Sequence, residues 1–272
     1  MRLGLATALL LAVTGCSGVT TIAVPRGGGA PARMLPQLPP MDRTVLGSRL
    51  AAAQPEWAGR ALPLVPPRRM VNCRRAKCVA LTFDDGPGDE TGKVLDVLAR
   101  HHARATFFLI GQMITQRSAP FLRRMVSEGH EIGNHSWDHP PLSTLPKGVL
   151  RRQLVRTEDL IRHVTGIRTP IMRPPYGATD QKVEAETRRE GLSQILWSVD
   201  TLDWRDRNSE KVLARASSVK PGEIVLMHDI HPTTVQAVPR LLSKLDSKGF
   251  TYVTVSELLG RLTPGKRYAD GH

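Results

Sequence analysis

Between residues 79 and 255 the chain alternates short apolar segments with longer amphipathic ones, and this alternation restricts the fold more than any other feature. Short runs of apolar and β-branched residues are typical of strands, whereas apolar residues that recur every three to four positions are typical of helices. Strands that alternate with helices form parallel sheets. The sequence predicts seven strands, at 79–84, 105–110, 130–134, 171–173, 194–199, 223–228 and 251–255.

The segments between these strands carry the spacing of amphipathic helices. The clearest one has arginines on one face and apolar residues on the other, at Leu150, Leu154, Ile161 and Val164. The sequence therefore predicts an α/β fold whose parallel sheet is either open and doubly wound or closed into an incomplete barrel. In both folds, residues that follow the carboxyl ends of the strands meet at one edge.

Polar side chains that can perform chemistry follow five of the predicted strands. Such a distribution is difficult to explain by packing alone and predicts an active site at that edge. The residues are Asp84, Asp85, His135, Arg173, Asp200, Asp203 and His228.

His135 and His139 lie at a spacing that lets two imidazoles bind one metal ion. In isolation, the pair is equally compatible with a surface or capping role. A carboxylate nearby favours the metal, because two histidines and one acid leave coordination positions open for water and substrate.

Asp84 and Asp85 supply two carboxylates at the end of the first strand. Neighbouring side chains on a strand diverge, so one acid can bind a metal while the other handles a proton. The alternative is an Asp-Gly-Pro turn in which both acids accept backbone hydrogen bonds. A turn explains Gly86 and Pro87 but not the adjacent acids.

These segments resemble the motifs of the polysaccharide deacetylase family, also called carbohydrate esterase family 4. Five motifs occur in family order within 79–262, and they read TFDDGP at 82–87, HSWDHP at 135–140, RPPYG at 173–177, DTLDW at 200–204 and LMH at 226–228. The resemblance implies a distorted seven-stranded (β/α) barrel, in agreement with the strand count. It also implies a metal-dependent hydrolase that removes acetyl groups from a polysaccharide.

The resemblance further implies the catalytic residues and the metal ligands. Asp84 would be the general base and His228 the general acid. A divalent metal, commonly Zn²⁺ with Co²⁺ as an alternative, would be bound by Asp85, His135 and His139.

The remaining matched residues would support this chemistry. Arg173 would orient the base and Asp203 would tune the acid, while the backbone N–H of Tyr176 would hold the oxyanion. Trp204 and Leu226 would line the acetyl pocket. Outside the motifs, His231 precedes a proline and is expected to cap a loop, with a position facing the substrate groove as the alternative.

The N-terminus predicts export. Arg2 precedes an apolar stretch of eleven residues over 3–13, which suits a signal peptide and is too short to span a bilayer. It ends in Val-Thr-Gly-Cys at 13–16, which resembles a bacterial lipobox. Residues 1–15 are therefore predicted to be a lipoprotein signal peptide, and Cys16 to carry the lipid that anchors the protein to the cell membrane. Plain secretion is the alternative.

Nine prolines and no lysine between residues 17 and 72 predict that 16–72 is an extended tether. In an oxidising compartment Cys73 and Cys78 are expected to form a disulfide, although half of a metal site or two free thiols are also compatible. The catalytic domain is predicted over 73–262 and a disordered tail over 263–272.

The net charge of +13 favours an anionic partner, although scattered arginines are also compatible with a solvated surface. An aromatic content of 4% without a nucleic-acid-binding motif disfavours nucleic acid. A tethered enzyme reaches the cell wall easily, so we expect an enzyme that removes N-acetyl groups from N-acetylglucosamine-type residues of peptidoglycan. The alternatives are acetylxylan, chitooligosaccharides, and a non-catalytic glycan-binding lipoprotein. We also expect the protein to be a monomer.

Overall fold

The computed structural model describes residues 62–67 and 69–272. The predicted signal peptide over 1–15, the predicted lipid anchor Cys16 and most of the predicted tether over 16–72 lie outside these residues. The described chain contains nine strands, which are β1 (Lys77–Asp84), β2 (Thr106–Leu109), β3 (Glu131–Asn134), β4 (Ile171–Met172), β5 (Ser193–Ile195), β6 (Val199–Asp200), β7 (Ile224–His228), β8 (Phe250–Tyr252) and β9 (Arg267–Tyr268).

Eight α-helices in the described part of the chain cover the sheet or connect its strands. None of them is long and apolar enough to cross a membrane. They are α1 (Thr91–Arg100), α2 (Ala119–Ser127), α3 (Lys147–Thr165), α4 (Gln181–Glu190), α5 (Asp203–Asp206), α6 (Ser209–Ala216), α7 (Pro232–Ser247) and α8 (Val255–Leu259).

The helix α3 shows how the sequence pattern becomes structure. The apolar residues that predicted it are all buried, which confirms the assigned face. The helix ends at Gly166, whose left-handed backbone (φ 77°) suits a residue without a side chain.

The strands form one parallel sheet in the order β6-β7-β1-β2-β3-β4-β5-β9, and β8 pairs with the start of β1. An isolated antiparallel bridge between Glu223 and Asp270 connects the segment after β9 with the residue before β7. The sheet is therefore curled almost into a ring, and the predicted α/β fold with an incomplete barrel is confirmed.

The two-residue period of β1 decides which side chains enter the barrel. Leu81 and Phe83 belong to the large core between sheet and helices. Ala80 belongs to a second core cluster, which includes residues of β2, β4, β5 and β7. Thr82 and Asp84 point to the same interior side as Ala80, because they follow it at intervals of two residues. The alternation thus directs the acid at the end of β1 toward the barrel axis.

The segment predicted as one strand over 194–199 forms two strands. β5 pairs with β4 and β9, whereas β6 pairs with β7 on the other side of the barrel. The chain changes partner between Ile195 and Val199, so no single ladder can include both parts.

The strand predicted over 251–255 ends at Tyr252, because a helix cap follows it. The Thr254 hydroxyl accepts a hydrogen bond from the Glu257 backbone N–H (3.1 Å), and the Glu257 carboxylate accepts one from the Thr254 N–H (3.0 Å). This capping box starts α8 at a residue that was predicted to end the strand.

The predicted disorder of 263–272 is wrong, because this segment contains β9. The backbone N–H groups of Gln194 and Leu196 donate to the carbonyls of Lys266 (2.8 Å) and Tyr268 (2.7 Å). The C-terminal segment therefore completes the hydrogen bonding along one edge of the sheet.

The chain enters β1 through a turn closed by a disulfide between Cys73 and Cys78. Just before this turn, the Arg69 side chain donates to the carbonyl of Tyr252 (2.8 Å) and pairs with Glu257 (3.2 Å). Residues from 69 onward are thus attached to the barrel. The proposed boundary between tether and catalytic domain at residue 73 stays a prediction.

Candidate active site

Side chains from distant parts of the sequence meet at the carboxyl edge of the barrel. Asp84 ends β1 and lies in register with His228, which ends β7. Asp85 follows β1, His135 follows β3 and Arg173 follows β4. The parallel arrangement brings these strand ends to one edge, as expected from the sequence.

The two adjacent acids point to different partners. The Asp84 carboxylate contacts the Arg173 guanidinium (2.8 Å). Asp85 has a left-handed backbone (φ 71°), and its carboxylate faces His135 and His139. The expected divergence of neighbouring side chains therefore separates the acids into two environments.

Asp85, His135 and His139 form a set of donors suited to a metal ion. One ligand atom of each residue lies within 4.8 Å of the others. The Oδ1 atom of Asp85 is 3.4 Å from Nε2 of His135 and 3.3 Å from Nε2 of His139. This oxygen is buried and makes no well-formed hydrogen bond within the described chain. One carboxylate and two imidazoles are a common donor set for a divalent cation, so these residues fit the metal.

The surroundings of the donors keep them in states that can bind a cation. Nδ1 of His135 lies 2.7 Å from the Arg173 carbonyl, which places the proton on Nδ1 and leaves Nε2 free for a metal. Burial and the charge of His135 lower the pKa of His139. Burial raises the pKa of Asp85, but the combined opposite effect of His135 and the other two site histidines is larger. The pKa of Asp85 is therefore lowered to about 2.

Arg173 holds the Asp84 carboxylate from the interior of the barrel. Its side chain is fully buried, and its guanidinium donates to Asp84 and to the Thr82 hydroxyl (2.7 Å). The carbonyls of Ile195 (3.1 Å) and Leu196 (2.9 Å) accept its remaining hydrogen bonds. A planar guanidinium held by four hydrogen bonds can fix one oxygen of the Asp84 carboxylate and leave the other oxygen facing the site.

His228 is held by Asp203 on the opposite side of the site. Nδ1 of His228 lies 2.8 Å from Oδ1 of Asp203, and Oδ2 accepts the His228 backbone N–H (2.7 Å). Burial lowers the pKa of His228, but the opposite effect of the hydrogen bond and charge of Asp203 is larger. The pKa of His228 is therefore raised to about 9. The imidazole is therefore protonated at neutral pH, as a general acid requires.

The other predicted site residues lie around this centre. Tyr176 has a left-handed backbone (φ 60°), and its ring packs against His139 with centroids 4.6 Å apart. The side chains of Tyr176 and Trp204 are 70% and 48% exposed, so both present aromatic surface to a ligand. Leu226 is buried in β7, two residues before His228, and therefore faces the same side of the strand.

Two further residues of the site were not predicted. Thr82 contacts Arg173, and its position two residues before Asp84 on the same face of β1 was a usable signal. Asp229 is buried and accepts a hydrogen bond from Thr91. A Cβ atom at Gly86 would lie 2.6 Å from Oδ1 of Asp229, so this acid leaves room only for glycine. No local pattern indicates that approach.

Comparisons with known proteins agree with this geometry. Residues 71–195 match the polysaccharide deacetylase family. The chain is 45% identical over 200 residues to the peptidoglycan-N-acetylglucosamine deacetylase PgdA of Listeria monocytogenes, a match that covers 71% of this chain and 41% of the relative. The chain thus spans less than half the length of that relative.

This chain resembles two solved structures over nearly their whole length. A T48 deacetylase with substrate has a TM-score of 0.70 and 42% identity, covering 73% of this chain and 99% of that one. A family 4 acetyl xylan esterase from Clostridium thermocellum, in complex with a cobalt ion, has a TM-score of 0.65 and 31% identity, covering 71% and 98%. With the barrel and the strand-end residues described above, these similarities lead to one conclusion: the chain belongs to the polysaccharide deacetylase family.

Proposed function

We propose that this chain is a metal-dependent hydrolase that removes N-acetyl groups from N-acetylglucosamine-type residues of peptidoglycan. One observation carries the proposal: a buried acid held by an arginine and a protonated histidine held by an acid face the same triad of metal donors. Asp84 and His228 are on neighbouring strands, and both lie within 4 Å of a residue of that triad. A base, a metal site and an acid in this arrangement suit amide hydrolysis.

Each proposed role has a physical reason. Asp85, His135 and His139 would hold the divalent metal, with Zn²⁺ proposed and Co²⁺ as the alternative. When bound, such an ion lowers the pKa of a water molecule and polarises the acetyl carbonyl. Asp84 accepts the proton that the attacking water loses.

The remaining groups stabilise charge and complete the reaction. The backbone N–H of Tyr176 donates to the carbonyl oxygen as negative charge develops on it. His228 donates its Nε2 proton to the leaving nitrogen as the C–N bond breaks, because an unprotonated amide nitrogen is a poor leaving group. The products are acetate and a free amine on the sugar. Trp204 and Leu226 would surround the acetyl methyl group.

The choice of peptidoglycan rests on similarity, charge and compartment. The Listeria relative is named for this activity. The net charge of +13 suits an anionic wall, and the disulfide suits a location outside the cytoplasm. Acetylxylan is the main alternative, because the Clostridium neighbour is an acetyl xylan esterase.

Acetate release tests the proposal. Purified protein, loaded with Zn²⁺, is incubated with peptidoglycan, chitooligosaccharide and acetylxylan, with and without chelator. We expect release from peptidoglycan that the chelator abolishes. Preferred release from acetylxylan or from chitooligosaccharide would assign the substrate to the corresponding alternative, and no release from any of the three would reject the activity.

A base variant separates catalysis from glycan binding alone. Asp84→Asn should lower kcat by a factor of about 10² to 10⁴ and leave one metal ion per chain. Asp89→Asn, which changes an exposed acid near the same strand end, is the matched control and should leave kcat unchanged. Equal acetate release from the Asp84→Asn protein would reject Asp84 as the base, whereas glycan binding without acetate release by the wild type would favour the non-catalytic glycan-binding alternative.

We also propose that the protein is exported, anchored through a lipid on Cys16, and monomeric. The apolar stretch over 3–13 and the following lipobox-like residues support this proposal. Cys16→Ser should abolish the incorporation of a labelled fatty acid into the protein. Equal labelling of this variant and the wild type, or no labelling of either, would reject the lipid on Cys16, and sedimentation of the wild type as a dimer would reject the monomer.

A further inference from the structure

The loop between the proposed metal ligands His135 and His139 departs from regular backbone. Ser136 (φ 68°) and His139 (φ 63°) both have a left-handed conformation. Residues with a side chain rarely adopt this conformation, and they keep it only where the surrounding structure fixes them. The position of His139 therefore depends on the groups that hold this loop.

The two ends of the loop are fixed by residues close in sequence. The Ser136 N–H donates to the side-chain oxygen of Asn134 (2.9 Å), and the His139 N–H donates to the Ser136 hydroxyl oxygen (3.1 Å). Asparagine and serine commonly form such local turns. The middle of the loop, at Trp137 and Asp138, is held by a different part of the chain.

One side chain of α3 holds the middle of the loop. Oε1 of Gln153 accepts the backbone N–H groups of Trp137 (2.8 Å) and Asp138 (3.2 Å). Nε2 of Gln153 donates to the Asp138 carboxylate (2.7 Å). This third contact fixes the orientation of the amide, because exchanging its oxygen and nitrogen would place donors against donors and acceptors against acceptors. Both ends of the Gln153 amide thus bind the loop.

The same helix makes further contacts with this region. The guanidinium carbon of Arg156, one turn beyond Gln153, lies 3.5 Å from the centre of the Trp137 ring. The Asn134 side-chain amide donates to the carbonyl of Leu154 (2.8 Å). Because the Leu154 side chain is fully buried, α3 is itself fixed to the core. The loop is therefore attached to a packed helix at several points.

We propose that Gln153 is a positioning residue that raises the metal affinity of the site by holding the loop on which His139 lies. This inference rests on the proposed function, in which His139 is a metal ligand. Gln153 acts through the backbone of Trp137 and Asp138, which directly precede His139. A loop already held in its binding conformation loses less entropy when the metal binds. Residues that support metal ligands typically contribute a factor of about 10 to 100 in metal affinity.

Zn²⁺ affinity tests this role. Metal-loaded protein is titrated with a chelating dye, and the competition gives the Kd of the site. Gln153→Leu removes the amide but keeps a side chain of similar size, and we expect the Kd to rise about tenfold. Gln236→Leu makes the same change at an exposed glutamine of α7 and should leave the Kd unchanged. An equal Kd for Gln153→Leu and the wild type would overturn the proposal.

A double exchange separates positioning from a general loss of packing. Gln153→Glu combined with Asp138→Asn exchanges the donor and the acceptor between the two side chains and leaves the net charge unchanged. The carboxylate at position 153 can still accept the two backbone N–H groups. We expect a Kd within about twofold of the wild type, because each hydrogen bond is replaced. A Kd as high as that of Gln153→Leu would contradict the role of these hydrogen bonds.

Hydrogen exchange of the chelator-treated wild type provides a measurement that needs no variant. The backbone amides of Trp137 and Asp138 should exchange at least about tenfold more slowly than in an unstructured peptide, because both donate to Gln153. Unprotected amides would overturn the proposal even if a variant failed to fold.

Acetate release is a separate readout of the proposed activity. A wild type that binds Zn²⁺ but releases no acetate would reject the activity, whereas a higher Kd in Gln153→Leu would still support the positioning role. Conversely, acetate release by the wild type together with an equal Kd in Gln153→Leu would overturn the positioning role and support the activity.

Discussion

Nδ1 of His228 lies 2.8 Å from Oδ1 of Asp203, and the second oxygen of the same carboxylate accepts the His228 backbone N–H at 2.7 Å. This double contact fixes both the ring and the strand end that carries it. It also directs Nε2 toward the site, where it lies 3.8 Å from Asp85. The Asp203 carboxylate therefore determines both the orientation and the charge of the proposed acid.

Removing the Asp203 charge should lower the pKa of His228. Burial lowers this pKa, but Asp203, with smaller contributions from the charges of Asp84 and Asp85, raises it to about 9, above the ordinary value of 6.5. In Asp203→Asn we expect the NMR titration midpoint of His228, measured in chelator-treated protein, to fall by about one to two pH units. Thr234→Val removes a hydrogen bond but no charge and should shift the midpoint less. An unchanged midpoint in Asp203→Asn would contradict this explanation.

The same pair should make stability depend on pH. Because folding raises the pKa of His228, its contribution to the free energy of unfolding is complete below about pH 6.5 and is lost as the pH rises through about 9. Denaturant unfolding measures the free energy of unfolding of the chelator-treated wild type and Asp203→Asn proteins. The difference between these two free energies should be larger at about pH 6, below this range, than at about pH 10, above it. A difference in the free energy of unfolding that does not change with pH would contradict this contribution of His228.

Arg173→Met should destabilise the barrel strongly. The substitution leaves the Asp84 carboxylate buried without its cation, at a cost of about 3–5 kcal/mol in the free energy of unfolding. Chemical denaturation measures this cost, and the double variant Asp84→Asn/Arg173→Met should recover part of it. Arg240→Gln breaks an exposed pair with Glu210 and should cost at most about 1 kcal/mol. A similar cost for both arginines would show that Asp84 does not depend on Arg173.

Metal addition should stabilise the protein through the proposed ligands. At a free Zn²⁺ concentration about 100 times the Kd, the free energy of unfolding should rise by about 2.7 kcal/mol. Thermal unfolding with and without chelator measures this effect. His139→Gln should abolish this stabilisation, whereas His163→Gln, which changes a partly exposed histidine of α3, should not. Equal stabilisation of the two variants would place the metal elsewhere.

Deletion of 264–272 should destabilise the protein and reduce acetate release. It removes the acceptors of the Gln194 and Leu196 N–H groups, and each lost backbone hydrogen bond should cost about 0.5–1.5 kcal/mol in the free energy of unfolding. It also loosens the segment whose carbonyls hold Arg173. The control Arg267→Gln loses only an exposed pair with Glu184 and should cost at most about 1 kcal/mol. Unchanged stability after the deletion would contradict this structural role of the C-terminal segment.

The sequence by itself determined the architecture and the position of the site. The period of two in β1 and the helical spacing of Leu150 and Leu154 are local patterns, because neighbouring residues along one element share a buried face. In a parallel α/β sheet, strand ends must meet at one edge. The presence of Asp84 and His228 at the same edge of the sheet therefore followed from the alternation of strands and helices, whereas their register came from the pairing of β1 with β7.

Only the tertiary structure decided the features that depend on distant segments. β9 has two residues and no readable period, so its strand conformation comes from pairing with β5. The proximity of Asp229 to Gly86 joins residues that lie far apart in the chain. His228 and Thr234 likewise meet Asp203 only because the packing places the start of α5 against the ends of β7 and α7. Local patterns determine how each element folds, but the packing of the elements determines which exposed or buried charges become neighbours.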